Sequence, residues 1–275
     1  GASLGEGCSP VLHHGRIIIV RDHAGQSSIE VLEAATGQTV WKRTRDEKNA
    51  WATPKIFTKD GERTQVITAA SNFIRSYDLD TGEVIWQCSG LTGNVTPSPV
   101  IYNDMVICMS GYEGHSVMAL KLDSKGDISG SSAVVWSDDK GTPYIPSPLL
   151  FDDQLYFTQS NKGILTSLNV TTGEEIIERT RLPDIQNIYA SPVGANGHVY
   201  FASRDGVTVV LKHGLTFEVL AVNSLDDEFN ASPVMVGNEL FLRGRKSLYC
   251  ISDEKPLNDN KVNTKHTFKC KHFAS

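Results

Sequence analysis

The sequence is poor in the features that most readily assign a chemistry. None of its apolar runs approaches the roughly 18 to 20 residues needed to cross a bilayer, and no basic-then-apolar leader precedes a cleavage site, so direct membrane insertion is not expected. The five cysteines, Cys8, Cys88, Cys108, Cys250 and Cys270, form no C-x-x-C and no adjacent pair. Buried thiols are the expectation, with one disulfide open to an exported protein. The eight histidines are scattered, and G-x-S-x-G, H-E-x-x-H and G-x-x-x-x-G-K are all missing. Cations are short as well: 26 Lys and Arg face 32 Asp and Glu, a net charge of −6. Long contact with nucleic-acid phosphates needs a dense cationic surface, so no nucleic-acid partner is expected. No stretch carries the period of an amphipathic helix.

What is present is a repeat. Ser9-Pro10, Thr53-Pro54, Ser98-Pro99, Ser147-Pro148, Ser191-Pro192 and Ser232-Pro233 recur with 44, 45, 49, 44 and 41 residues between prolines. After most of them come a short polar turn and a second apolar run, at 16–20, 65–69, 105–108, 154–157, 198–201 and 239–242. Each pair reads as a hairpin of short strands bounded by Gly, Asn and Asp. A third run ends in a recurring turn: Glu33-Ala-Ala-Thr-Gly-Gln-Thr-Val-Trp41, Asp78-Leu-Asp-Thr-Gly-Glu-Val-Ile-Trp86 and Asn169-Val-Thr-Thr-Gly-Glu-Glu-Ile-Ile177. Glycine holds the position that tolerates positive φ, and a bulky apolar residue follows four later. The third repeat is lengthened at 123–130, read as an extended turn, and still reaches Trp136.

Four short strands per unit of roughly 45 residues is the arithmetic of an all-β, four-stranded antiparallel propeller blade. One twisted blade cannot bury both faces alone, so neighbours stack radially. Trp41, Trp86 and Trp136 then fall on one repeat position, where they fill the wedge between blades. The domain reading is a propeller over 1–255, with repeats starting near 9, 53, 98, 147, 191 and 232, and a basic, disordered or foreign tail over 256–275. Only eight residues precede the first Ser-Pro and the sixth unit offers three strands, so the six visible repeats read as an incomplete ring. A six-bladed ring with a poorly sealed seam is the alternative. The chain opens Gly1-Ala2-Ser3 and its first methionine is Met105, so a native start is expected outside it.

Over roughly 9–252, the Thr-Gly-x-x-x-Trp turn with Glu, Asp or Asn three before the Thr resembles the tryptophan-docking repeat of pyrroloquinoline-quinone-like (quinoprotein-like) propellers. Repeats one and two match it, repeat four has Ile177 for Trp, and repeat five, at 207–214, keeps the strands without the motif. The resemblance implies a fold shared by cofactor-dependent dehydrogenases and cofactor-free scaffolds, among them the propeller lipoprotein of the outer-membrane β-barrel assembly machinery. It also implies a seven- or eight-bladed ring, of which the six visible repeats would lack N-terminal blades, and a bacterial, periplasmic or extracellular setting.

In such a fold the connections between blades share one face with the loops between second and third strands, and ligands sit there. The connections carry Trp51, Asn94, Tyr144, Tyr189 and Asn230, and the second set of loops carries Asp22, Asn72, Glu113, Asn161, Arg204, Asp205 and Arg243. Trp51, Asn94, Tyr144, Tyr189, Arg204 and Asn230 are the candidate ligand-binding residues. Aromatic plates, amides and guanidiniums together suit a protein, peptide or glycan ligand. No catalytic residue or metal ligand is assigned. The first expectation is a non-catalytic binding or scaffolding disc without cofactor. The alternatives are a pyrroloquinoline-quinone- and calcium-dependent alcohol or sugar dehydrogenase, with Asp22, Glu113 and Asp205 as candidate carboxylates, and a carbohydrate-binding propeller presenting Trp51, Tyr144 and Tyr189.

Overall fold

The structure, a computed structural model, describes residues 5–59, 61, 63–252 and 269–273. Six sheets follow one another along the chain, each with four antiparallel strands taken in sequence order, and no helix occurs among the described residues. Blade one is Val11–His13, Arg16–Arg21, Ser27–Glu33 and Thr39–Arg45; the first strands of blades two to five lie against one another around the centre. Short first strands and longer outer ones suit a radial wedge.

Apolar residues alternate along the middle strands, and both faces of an interior blade meet a neighbour. Val66 and Tyr77 of blade two pack with Ile18, Ile29, Val31 and Trp41 of blade one, while Ile67, Ile74 and Trp86 pack with Val106 and Leu120 of blade three. Three further clusters join blades three to four, four to five and five to six. Among the described residues no such cluster joins blade six to blade one, and Val234, Val236 and Leu248 of blade six are exposed. Among the described residues the apolar clusters thus form five junctions between successive blades.

The recurring Ser/Thr-Pro dipeptide has a direct role in those junctions. The N–H of Thr53 donates to Ser98 Oγ (3.1 Å), that of Ser98 to Ser147 Oγ (3.0 Å), that of Ser147 to Ser191 Oγ (2.9 Å) and that of Ser191 to Ser232 Oγ (3.0 Å). Each hydroxyl satisfies a backbone donor in the segment leading into the preceding blade's first strand, forming a belt from blade two to blade six, with each link worth about 1 kcal/mol.

The turn motif works across the outer junctions. Trp41 Nε1 donates to Leu79 O of the next blade (2.7 Å) and Trp136 Nε1 to Val170 O (3.0 Å). Gly82 and Gly173 have φ of +72° and +75°, and a Cβ there would lie 2.6 and 2.7 Å from the Trp41 and Trp136 rings. Glycine therefore serves twice, accepting the left-handed turn and leaving room for the preceding blade's indole. Trp86, fully buried, donates instead to Gln65 Oε1 (3.1 Å), whose amide reaches Leu122 O (2.9 Å).

Two expectations are corrected. The lengthened connection at 123–130 is not simply an extended turn: Gly126–Asp127 pairs in parallel with the outer strand of blade two, Val84–Cys88, as a fifth strand. Ile128 is buried in the junction, anchoring the segment by its apolar side chain. The second concerns the tail. Lys269–Phe273 pairs with Leu248–Ser252 as the fourth strand of blade six, in place of the disorder expected there, because the outer edge of Leu248–Ser252 offers unpaired backbone groups. The rest of 256–275 lies outside the described residues.

Candidate functional site

The connections between blades and the loops between second and third strands meet on one face. Asp22 bridges to Ala50, Pro143 to Ser160 and Phe229 to Gly244; Ile188 N donates to Asn161 O and Arg204 N to Asn187 O, both 2.9 Å. Each connection is thus pinned by backbone hydrogen bonds, which fixes where its aromatic or amide side chain points.

The centre of this face is aromatic. Tyr112 and Tyr144 lie with ring centroids 4.7 Å apart, and the Arg204 guanidinium sits 4.6 Å from the Tyr189 centroid. Burial raises the Tyr144 pKa, and the neighbouring Tyr112 and Tyr189 phenols raise it further, so the three rings form one electrostatically connected group. Gly111 permits the approach: a Cβ there would lie 2.5 Å from the Thr142 and Pro143 carbonyls. Thr142, fully buried, donates to Ser110 O (2.5 Å) and accepts from Ser116 N (3.2 Å), locking the connection that carries Tyr144. Tyr112 is 51% exposed and presents the open side of the group. Beyond Arg204 the charges continue through Glu228, 3.8 Å from Arg204 and 3.6 Å from Arg245.

Beside the tyrosines lies a polar pocket of about 300 Å³ lined by Lys48, Asn49, Ser71, Asn72, Gly93, Asn94 and Glu113. Its wall is stiffened by Glu47, whose carboxylate accepts from Asn72 N (2.9 Å), Phe73 N (3.2 Å) and Arg75 Nη1 (2.9 Å). Burial pushes the Glu47 pKa up, opposed by the Asn72 N–H and by Arg45 and Arg75.

The sequence candidates separate into groups. Tyr144, Tyr189 and Arg204 come together in the aromatic group, and Asn94 lines the pocket. Asn230 is exposed at the edge of blade six. Trp51 does not present a free plate: its Nε1 donates to Gly5 O (3.1 Å) and a Cβ on Gly7 would meet its ring at 2.8 Å, so the N-terminal segment lies across it. Tyr112 is the residue missing from the candidate set, although its loop had been placed on this face.

The carboxylates are largely engaged. Asp22 is buried and bridges Arg45 through two bonds of 2.8 and 3.0 Å, so this candidate carboxylate is held within the fold. Arg45 also donates to Tyr77 (2.5 Å) and Thr68 (3.0 Å), and although burial opposes its charge, Tyr77 and Asp22 hold its pKa above the ordinary arginine value. Asp205 accepts from Gln186 N (2.8 Å) and Asn187 N (2.9 Å). Only Glu113 borders the pocket. Among the described residues no group of three or more His, Cys, Asp or Glu is placed to hold a metal ion. A calcium-bound quinone needs several converging carboxylate and amide oxygens; of these kinds the pocket gathers the Glu113 carboxyl and the Asn49, Asn72 and Asn94 side chains. Cys8, Cys88 and Cys108 are free thiols; burial raises all three pKa values, that of Cys8 to about 11, so they are not activated nucleophiles.

Blades built on a Thr-Gly turn that receives the previous blade's tryptophan define a quinoprotein-like β-propeller. The chain belongs to the family described as outer membrane protein assembly factor BamB, whose model matches residues 2–179. Among solved structures it is similar to the crystal structure of BamB from Moraxella catarrhalis, with 16% identity, 100% of this chain and 90% of that chain covered, and a TM-score of 0.63. It is also similar to the computationally designed Ika8 protein, with 15% identity, 86% and 67% coverage, and a TM-score of 0.62. No curated protein matches the sequence.

Proposed function

We propose that this chain is a non-catalytic, cofactor-free scaffold that binds a protein partner through its loop face, in a periplasmic or outer-membrane-associated setting. The observation carrying this reading is the Tyr112–Tyr144–Tyr189–Arg204 group, on a face whose carboxylates are mostly spent on the fold. Tyrosine and arginine supply large, semi-rigid contact area that also hydrogen-bonds, and both are enriched at the energetic centres of protein interfaces. Family membership supports the same reading, since the family is described by outer-membrane protein assembly.

The test is capture of barrel-assembly components from an outer-membrane extract by the immobilised chain and by its Tyr144→Ala/Tyr189→Ala/Arg204→Ala variant. The intact face is expected to retain a discrete component and the variant to lose it, with an unchanged melting temperature as the control. Equal retention by both would place binding elsewhere. A second reading, glycan binding, draws on the pocket lined by Asn49, Asn72 and Asn94 beside Tyr112, and a glycan array decides it.

A further inference from the structure

Among the described residues the outer rim contains one pairing of a kind the other blades do not show. Along the outer strand of blade two, Gly126–Asp127 adds in parallel opposite Trp86 and Gln87, and Ile128 N donates to Gln87 O (2.9 Å). Ser89 N donates to Ser129 Oγ (2.9 Å), Gln87 Nε2 reaches Asp127 Oδ2 (3.2 Å), and Ile128 drops into the junction between blades two and three. The segment thus binds as a strand, by backbone pairing on one side and one aliphatic anchor in the cleft beside it.

The shared Trp places the corresponding outer strand, Thr39–Arg45 of blade one, in register: Trp41 stands for Trp86, Lys42 for Gln87 and Thr44 for Ser89. Here the edge has no neighbour among the described residues, Lys42, Arg43 and Thr44 are exposed, and the cleft beside it is open. That cleft holds about 630 Å³ between Arg43, Thr44 and Asp46 of blade one and Arg75, Gly82, Val84 and Gln87 of blade two. It occupies the place relative to blade one that Ile128 fills relative to blade two. The charge differs: Asp127 meets a neutral Gln87, whereas the same position on blade one would face Lys42, which shares Glu30 with Arg21 (3.7 and 2.7 Å) so that the trio keeps a net positive charge, with Arg43 beside it and Asp46 and Glu83 lining the cleft. Basic side chains on an edge discourage indiscriminate sheet growth and leave acidic strands as the matching partners.

We propose that the outer edge of Thr39–Arg45 is a second docking site, taking an extended acidic segment of a partner protein by parallel strand addition. The partner places a carboxylate against Lys42 and an adjacent side chain in the cleft between blades one and two. This site is on the rim, separate from the tyrosine face.

The test uses fluorescence anisotropy with a labelled peptide of the sequence Asp-Ser-Lys-Gly-Asp-Ile-Ser-Gly extended by two glutamates, and the same peptide with every acid replaced by its amide. The full chain is expected to bind the acidic peptide at least tenfold more tightly than the amide form. Lys42→Gln should narrow that ratio, and Thr44→Pro should abolish binding. Thr44→Pro removes an outward N–H and leaves the inner ladder intact, so it is compatible with a folded edge strand; a circular-dichroism melt verifies this, and Thr44→Ala, which keeps the N–H, should bind normally. Equal affinity for both peptides, or binding that survives in folded Thr44→Pro, overturns the proposal. A concentration-dependent dimer of the wild-type chain that Thr44→Pro dissolves also overturns it, by assigning the edge to a second copy.

Discussion

From blade one to blade four each outer junction is closed by an indole: Trp41 and Trp136 bond directly to the next blade's carbonyl, and Trp86 does so through Gln65. From blade four to blade five the indole and its glycine are lost together. Ile177 takes the tryptophan position and His213 the position of Leu79, Leu122 and Val170, and Tyr156 reaches across to His213 Nδ1 (2.9 Å). His213 Nε2 in turn lies 3.1 Å from Asp152 Oδ2. The junction is held by a polar relay under a smaller apolar plug. What persists between blades is therefore a filled wedge and a polar bond across it, while the residues supplying them change. The serine belt, by contrast, runs unchanged through both halves.

That comparison can be broken from either side. The largest effect is expected for Trp86→Ala, which empties a fully buried site and removes one of the two donors to Gln65 Oε1. A loss of about 4 kcal/mol in a urea melt follows from large-to-small truncation, against about 3 kcal/mol for Ile177→Ala. Equal losses would deny the indole its special role. Next comes the glycine pair. Gly82→Ala combines positive φ with a clash against Trp41 and should cost about 3 kcal/mol, whereas Gly37→Ala, with φ of +71° and nothing within 4 Å, should cost about 1 kcal/mol. The difference measures indole docking, and combining Gly82→Ala with Trp41→Ala should recover part of it.

Smaller effects sharpen the contrast. Tyr156→Phe should cost about 1 to 2 kcal/mol by leaving His213 without its phenol partner, with no counterpart at the tryptophan junctions. Ser147→Ala should cost about 1 kcal/mol. Blade six adds a pH signature. Asp227, buried, accepts from Glu228 N (2.8 Å), Lys246 N (3.0 Å), Ser247 N (3.1 Å) and Tyr249 Oη (3.1 Å). Burial alone would raise its pKa, but these donors outweigh burial and hold it below the ordinary carboxylate value. A depressed carboxylate pKa contributes stability that is full above the unfolded value of about 4 and is lost as pH falls through the folded value. Melts should be flat with respect to this group from pH 5 to 8 and fall in stronger acid, and Asp227→Asn should flatten that acid limb.

The repeat was legible because its marks are covalent or steric: proline after serine, glycine at positive φ, a tryptophan at fixed distance. Their purposes were less so. Ser98 and Ser147 look like ordinary turn residues until their hydroxyls are seen to meet a backbone N–H of the preceding blade, a contact 49 residues apart in sequence between these two. The strand at Gly126–Asp127 escaped because two residues carry no alternation, and Lys269–Phe273 because lysines on an edge strand read as a solvated tail. Within the site, connection residues such as Tyr144 and Tyr189 were readable from their place before each Ser-Pro. The loss of Trp51 beneath Gly5–Gly7 depends on a chain path that no local pattern encodes, and Tyr112 joins the group only because Gly111 lets two loops touch.

The account rests most heavily on the tyrosine face as the surface that meets a protein. A photo-crosslinking amino acid at Tyr112, compared with the same group at Val219 on the outer strand of blade five, tests it most directly. On irradiation with outer-membrane extract, position 112 should give a discrete protein adduct that Arg204→Glu removes, and position 219 should give none. Equal adducts at both positions, or an adduct at 112 indifferent to Arg204→Glu, would contradict the assignment of this face as the scaffold's binding surface.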